Sequence, residues 1–324
     1  MAEATPPPYP VESAAQEKTT IAYHFELSGS FDEQIREIAR YQTEHALASL
    51  DAVEADPEGS IHDARKRFKK VRGLLRLLRP GLGKTYSKEN AFFRDLGRSL
   101  SATRDAQVVW ETVVRLQEQF EHRLPQPMMA SLRGWAGEKR QRLSRKEVVV
   151  GANTCAVSLR RVLERIGGWR IEGDPLEACI GGYSRTYKRA QQEYRICRQG
   201  GRPEDRHEWR KRVKYHWYHC RLLREAWPDV MTARANDLKT LADALGEDRD
   251  LTMLLEAAKS ERVPNLSSVE IGLLDGLVRE RSDTRRNDAL ALAPKLLSDN
   301  PKELQKRIRS YWMLSAAHEE AGVS

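Results

Sequence analysis

His62-Asp-Ala-Arg65-Lys66-Arg67-Phe-Lys69 returns 145 residues later as His207-Glu-Trp-Arg210-Lys211-Arg212-Val-Lys214. The register holds beyond it. Arg76-Leu-Leu-Arg79 falls on Arg221-Leu-Leu-Arg224, and Leu96, Leu100, Arg104 and Asp105 fall on Leu241, Leu245, Arg249 and Asp250. No insertion is needed, so the chain reads as two copies of one unit. Between 62–79 and 207–224 nine positions are identical, and seven of the nine are basic. A repeat retained for folding alone would keep its apolar positions first. This one keeps a row of cations, which points to a polyanion.

Apolar spacings of three and four run through nearly every segment, and Gly and Pro punctuate the gaps. The pattern predicts helices over roughly 30–54, 61–79, 88–120 and 128–166, then 176–197, 205–226, 232–260 and 268–318, with a break inside the last segment of each half. Short connections imply antiparallel neighbours. The expected fold is therefore all-α: two four-helix-bundle halves, 26–170 and 171–324, related by the 145-residue repeat and a pseudo-two-fold axis. The Gly-rich loop at 167–175 is the candidate boundary. Residues 1–25, with four prolines in the first twenty and little hydrophobicity, read as a disordered tail.

At about 100° per residue, Arg65, Lys66, Lys69 and Arg76 fall within an arc of about 100° around His62. Phe68, Val71, Leu74, Leu75 and Leu78 fall opposite. In the second copy His207, Arg210, Lys211, Lys214 and Arg221 share the arc, with Tyr218 among them, while Trp209, Val213, His216, Cys220 and Leu223 line the other face. Each helix thus carries a cationic stripe about 20 Å long. Like charges at i,i+3 and i,i+4 repel by a few tenths of a kcal/mol per pair. Acidic partners are missing along both stripes, so the repulsion has a compensating purpose, which a chain of phosphates would supply. Arg104 and Arg249 are further candidates, and their neighbours Asp105 and Asp250 read as register-fixing ion pairs. Arg40 and Arg185 also match at the 145 offset.

Composition narrows the partner classes. The 324 residues hold 55 Lys+Arg against 47 Asp+Glu, a net charge of +8, and 31% of the chain is charged. Four cysteines without a C-x-x-C pair argue against a disulfide framework or zinc knuckle and fit a reducing cytoplasm. No apolar run is long enough to span a membrane, and the first twenty residues lack a secretory pattern.

His-x-x-Arg on a basic helix, a Leu-Gly pair upstream of Arg-Asp (Leu96-Gly97, then Arg104-Asp105), and the same set again (His207, Arg210, Leu245-Gly246, Arg249-Asp250) resemble the CHAD family, the conserved histidine α-helical domain. The resemblance covers about residues 28–318. It implies two four-helix bundles with the basic helices lining a central positive surface. It also implies binding of inorganic polyphosphate, without catalysis, at polyphosphate granules in the cytoplasm. By position the family's histidines are similar to His62 and His207, and its following cations to Arg65, Lys69, Lys70 and Arg72, then Arg210, Lys211 and Lys214. Two departures stand out: Trp217-Tyr218 replaces an Arg-Tyr pair, and Glu247 and Asp248 add acid near the site.

The alternative is nucleic-acid binding, because phosphate contacts alone do not separate the two polymers. Tyr215, Trp217 and Tyr218 could stack on unpaired bases, yet no helix offers Asn or Gln for base edges. No Glu-x-Glu-x-Lys, phosphate-loop, His-Glu-x-x-His or Gly-x-Ser-x-Gly motif supports an enzyme, and no cofactor or metal is expected. His216, His219 and Cys220 read as packing residues.

Overall fold

The computed structural model describes residues 23–142 and 145–322. They form eleven α-helices and no strand among the described residues: α1 (Phe31–Asp51), α2 (Pro57–Leu77), α3 (Gly83–Ser99), α4 (Ser101–Phe120), α5 (Gln126–Gln141), α6 (Arg145–Ile166), α7 (Pro175–Arg198), α8 (Pro203–Leu222), α9 (Pro228–Ser260), α10 (Ser268–Leu297) and α11 (Pro301–Glu320). No helix is long and apolar enough to cross a membrane.

The punctuation seen in the sequence acts as capping. Ser30 accepts from Glu33 N, Asp56 from Gly59 N ahead of Pro57, and Asp174 from the amides of Leu176 and Glu177. Ser267 and Glu270 close a reciprocal box at α10, and Asn300 caps α11 before Pro301. Each oxygen satisfies an amide that the first helical turn leaves open. The breaks expected late in each half lie between α5 and α6 and between α10 and α11. The segment expected as one helix over 88–120 instead divides at Leu100 into α3 and α4. Ser99 Oγ donates to Leu96 O at 3.0 Å, offering the backbone a rival partner just where the ladder stops. The position 145 residues later is Ala244, which has no hydroxyl, and α9 runs unbroken for 33 residues.

Two apolar cores form, and neither follows the sequence halves. The larger joins Ile35 and Ile38, Phe68 and Leu74, Phe93, Leu159, Tyr183, Trp209, Leu238 and Trp312, from α1–α3 and α6–α11. The smaller packs Val113 and Leu116 of α4, Met128 and Leu132 of α5, Leu254 of α9 and Leu277 of α10. Helix α9, about 50 Å long by its rise, links them. The segment expected as tail is only partly outside the described residues, because Tyr23 and Phe25 belong to the fold. Tyr23 Oη donates to Lys70 O at 2.6 Å, and Phe25 N donates to Leu222 O at 2.9 Å, so this strip seals the seam between the ends of α2 and α8.

Helices α2 and α8 cross at Gly73. A side chain there would meet Tyr23 Oη at 2.9 Å and Tyr218 Cβ at 3.0 Å. His219 Nε2 donates to Gly73 O at 3.1 Å across the crossing. Close to it, α7 presses on the end of α2, where a Cβ at Gly182 would lie 1.8 Å from Leu77 O.

Candidate functional site

The apolar faces assigned by angle are the buried ones. Phe68, Val71, Leu74, Leu75 and Leu78 of α2, with Trp209, Val213, His216, Cys220 and Leu223 around α8, all lie in the interior. That burial turns the two cationic stripes outward along the crossing.

The stripes meet at Lys69. Lys69 is exposed, and the cationic patch around it, fed by α2, α4 and α8, is called the trough below. Desolvation there, followed by the charges of Arg210, Arg65, Lys214 and Arg104, pushes its ammonium down to about 7. Every charge bearing most on Lys69 is positive, and they come from α2, α4 and α8. Lys214 is pushed down to about 8 by desolvation, with Arg210, Lys239 and Arg221 adding to it and Asp243 opposing.

The arginines are placed by backbone and glycine. Arg65 donates to Gly97 O of α3. Arg210 lies across Gly246 of α9, with Nε 3.1 Å from where a Cβ would stand. Buried Nε atoms of Arg65 and Arg210, and Nδ1 of His207, have no partner. Buried polar hydrogens without acceptors cost free energy, so such a cluster is suited to an incoming anion.

Arg104 pairs with Glu111 at 3.1 Å, and Arg249, at the matching offset, pairs with Glu256 at 3.8 Å. Their aspartates cross between the sequence halves. Asp105 is raised by desolvation, against Arg65 and Arg249. Asp250 is raised by desolvation, against Arg210 and Arg115, and it accepts from Arg115 at 3.2 Å. The Arg115–Asp250 pair joins α4 to α9, whereas Asp105 has no ion pair among the described residues and only feels the charges of Arg65 and Arg249.

Both histidines are pushed away from the charged form. Burial pushes His207 down to about 4, with Lys211, Arg249 and Arg210 adding to it. His62 is lowered by desolvation, then by Arg104 and Lys69, against Glu111. A neutral imidazole there donates one hydrogen bond without adding to the crowding.

Other expected residues divide. Lys66 shares the stripe of α2, and Lys211 shares that of α8 while pairing with Glu208 at 2.5 Å. Tyr218 is not on the stripe. It is buried at the helix crossing, its ring edge-on to Tyr23 at 5.8 Å, because α2 lies over it at Gly73. Arg40 is exposed on α1, and among the described residues no hydrogen bond, ion pair or ring contact joins it to the stripes. Lys70 is buried over Tyr23 at 5.5 Å.

The acid expected near the site is already consumed. Glu247 pairs with Arg281 at 2.6 Å and Arg285 at 2.8 Å, and Asp248 is buried against Arg206 at 2.7 Å. Trp217, standing where a cation was expected, lies under Lys214 Nζ at 4.0 Å and Arg221 at 5.2 Å.

Farther along α2 the stripe runs into a depression between α2, α7 and α8. Arg76 and Arg185 meet there with Arg79, Arg189 and Arg212, and Arg72 sits at its edge over Tyr215. The last three of those lining it were not singled out as site residues. Arg79 and Arg212 are invariant between the two copies, which was the available signal. Angle counting puts Arg212 off the arc because it faces the opposite flank of α8.

His216, His219 and Cys220 are buried, and no group of three or more potential metal ligands occurs among the described residues.

A profile of the CHAD domain matches residues 37–259. A crystal structure of the CHAD domain from the plant Ricinus communis superposes with a TM-score of 0.55 at 16% identity, covering 88% of this chain and 94% of that one. At that identity the likeness speaks for the fold alone. No curated protein matches. With the profile spanning most of the chain and the helices arranged alike, the protein belongs to the CHAD domain family.

Proposed function

We propose that the trough around Lys69 binds inorganic polyphosphate, without catalysing a reaction on it. The observation that carries this reading is convergence: Arg65, Arg104, Arg210 and Lys214 bring like charge to bear on Lys69 from three helices. Such crowding is unfavourable unless an anion relieves it. A repeating phosphate chain supplies closely spaced charge without bases to be read. Family membership supports the same ligand. Asp105 and Asp250 are engaged by arginines, which favours binding over metal-assisted hydrolysis. On this reading the protein accompanies polyphosphate in the cytoplasm and collects on its granules.

Trp217, flanked by Lys214 and Arg221, is the one observation favouring single-stranded nucleic acid. Competition separates the two. Long-chain polyphosphate is bound to the protein, and duplex or single-stranded DNA is added at equal phosphate concentration. Retained polyphosphate supports the proposal, whereas displacement by DNA overturns it. Reversing Arg65 and Arg210 to Glu together abolishes binding with helicity unchanged; undiminished affinity places the site elsewhere. A fluorescent fusion that stays diffuse in granule-containing cells would remove the granule link.

A further inference from the structure

We propose that the arginine depression between α2, α7 and α8 is a separate site for a compact, doubly charged terminal phosphate group, such as that of pyrophosphate or of a polyphosphate chain end. It goes beyond the trough reading and does not require that reading to hold.

Five guanidinium groups line the depression, contributed by Arg76, Arg79, Arg185, Arg189 and Arg212, and no carboxylate is among the described residues lining it. What holds Arg76 and Arg79 is aromatic rather than acidic. Arg76 lies 4.2 Å from the centre of the Tyr215 ring, and Arg79 lies 4.8 Å from that of Tyr86. The Tyr86 hydroxyl accepts weakly from Arg76 at 3.5 Å. An aromatic face positions a guanidinium while leaving its charge and its forked donors available, where a carboxylate would occupy both. Arg185 is exposed and Arg189 half-buried, and neither has an ion pair among the described residues. The buried Nε atoms of Arg76 and Arg212 have no acceptor. The acids that approach are Glu208, which meets Arg212 at 3.2 Å, and Glu193, within the field of Arg189 and Arg212.

The positions 145 residues away show why only one such site is open. Arg221, Arg224, Arg40, Glu44, Arg67 and Lys70 stand there. Glu44 replaces Arg189, Arg67 is paired with Asp63 at 3.2 Å, and Arg224 with Glu225 at 2.7 Å. Tyr23 also lies against that cluster, its ring 5.5 Å from Lys70 and 5.7 Å from Arg221. Arg212 and Arg67 each pair with an acid one turn back, at 3.2 Å in both copies. The two flanks therefore differ at Glu44, at Arg224 and in the cover of Tyr23, while Arg76, Arg79, Arg185 and Arg189 have no ion pair among the described residues.

The space enclosed between the guanidinium groups is about 10 Å³, room for a water, so a phosphate would seat across their outer rim. A chain end or a small phosphate suits the cluster better than mid-chain phosphate by charge, because a terminal group carries a second ionisable oxygen that interior phosphates lack. Bidentate pairing with several guanidinium groups rewards that extra charge.

The test uses the full chain and pyrophosphate as probe. Calorimetric titration at low salt should show one saturable site per chain. Arg185→Gln with Arg189→Gln should weaken it at least tenfold. A charge-matched control, Arg195→Gln with Arg198→Gln on exposed positions of the same helix, should change it less than threefold. Absence of saturation at millimolar pyrophosphate, or equal losses in variant and control, overturns the proposal. Circular dichroism establishes that both variants are folded. Chain ends are then separated from free phosphate by comparing polyphosphate of one length with blocked and unblocked ends. A preference for unblocked ends that vanishes in Arg185→Gln/Arg189→Gln assigns the site to chain ends. Equal binding of both, with pyrophosphate bound, assigns it to small free phosphates. Long-chain binding by Lys69→Gln reads the trough independently, so the two ideas fail separately.

Discussion

Raising the pH from 7 to 9 removes charge from the trough where polyphosphate is proposed to lie. Lys69 is held at about 7 and Lys214 at about 8 by desolvation and neighbouring cations. At pH 8 the free protein therefore carries roughly a tenth of a proton on Lys69 and about half of one on Lys214. Phosphates beside both amines restore their charge, so full restoration draws in about 1.4 protons per chain at that pH. Linkage converts this uptake into a slope. Affinity falls by up to about 1.4 decades per pH unit near pH 8, an upper bound because Lys69 is exposed and solvent screens its neighbours. Calorimetry with long-chain polyphosphate, in two buffers of different ionisation enthalpy at pH 8, measures the uptake directly. Lys69→Gln should lower it by about 0.9 proton. Tight binding whose enthalpy is the same in both buffers would refute the placement of the polymer beside these lysines.

Three other outcomes follow from the geometry. Trp217→Arg adds the cation expected in the second stripe, so the salt dependence of polyphosphate binding should steepen by about 0.7–0.9 in log–log slope; an unchanged slope would show that the polymer does not pass Trp217. Gly182→Ala drives a methyl into Leu77 O, and should lower stability by at least about 2–3 kcal/mol in urea unfolding. His216 and His219 are buried and kept neutral, His219 held at about 3 and His216 well below its usual value. The unfolded chain binds protons below pH 6.5 that the native state refuses, so stability falls as pH drops through that window. His216→Phe keeps the packing on Tyr183 and Tyr187 and removes two unpartnered ring nitrogens. It should flatten the acid loss measured by urea midpoints at pH 7.5 and 5; an unchanged loss would refute this account.

Local periodicity made the helices and their two faces legible, because a residue's angle on a helix depends only on its number. It therefore found Phe68 and Leu74 as core and Arg65 and Lys69 as stripe. What it missed depends on partners far away in sequence. Tyr218 has the angle of a stripe residue but sits where α2 crosses, and no count along α8 reveals that crossing. Glu247 and Asp248 read as acid at the site until Arg281, Arg285 and Arg206 neutralise them. Tyr23 read as tail, since three ordered residues beyond a proline-rich stretch carry no periodicity of their own. The division at Leu100 left no mark in the hydrophobic pattern, which runs through it. The arginine depression needed three helices to meet before its members became neighbours.

Those arginines, propped on tyrosine rings rather than carboxylates, have a consequence for how the molecule senses its surroundings. A guanidinium group holds its proton in proteins whatever its neighbours. The depression therefore keeps its charge while a phosphate monoester-like group, with a second pKa near 6, gains charge as the medium becomes more alkaline. The lysine trough behaves the other way and sheds protons over the same interval. If both proposals hold, one chain carries two anion surfaces with opposed responses to alkalinity, and a rise in pH shifts its preference from polymer length towards polymer ends.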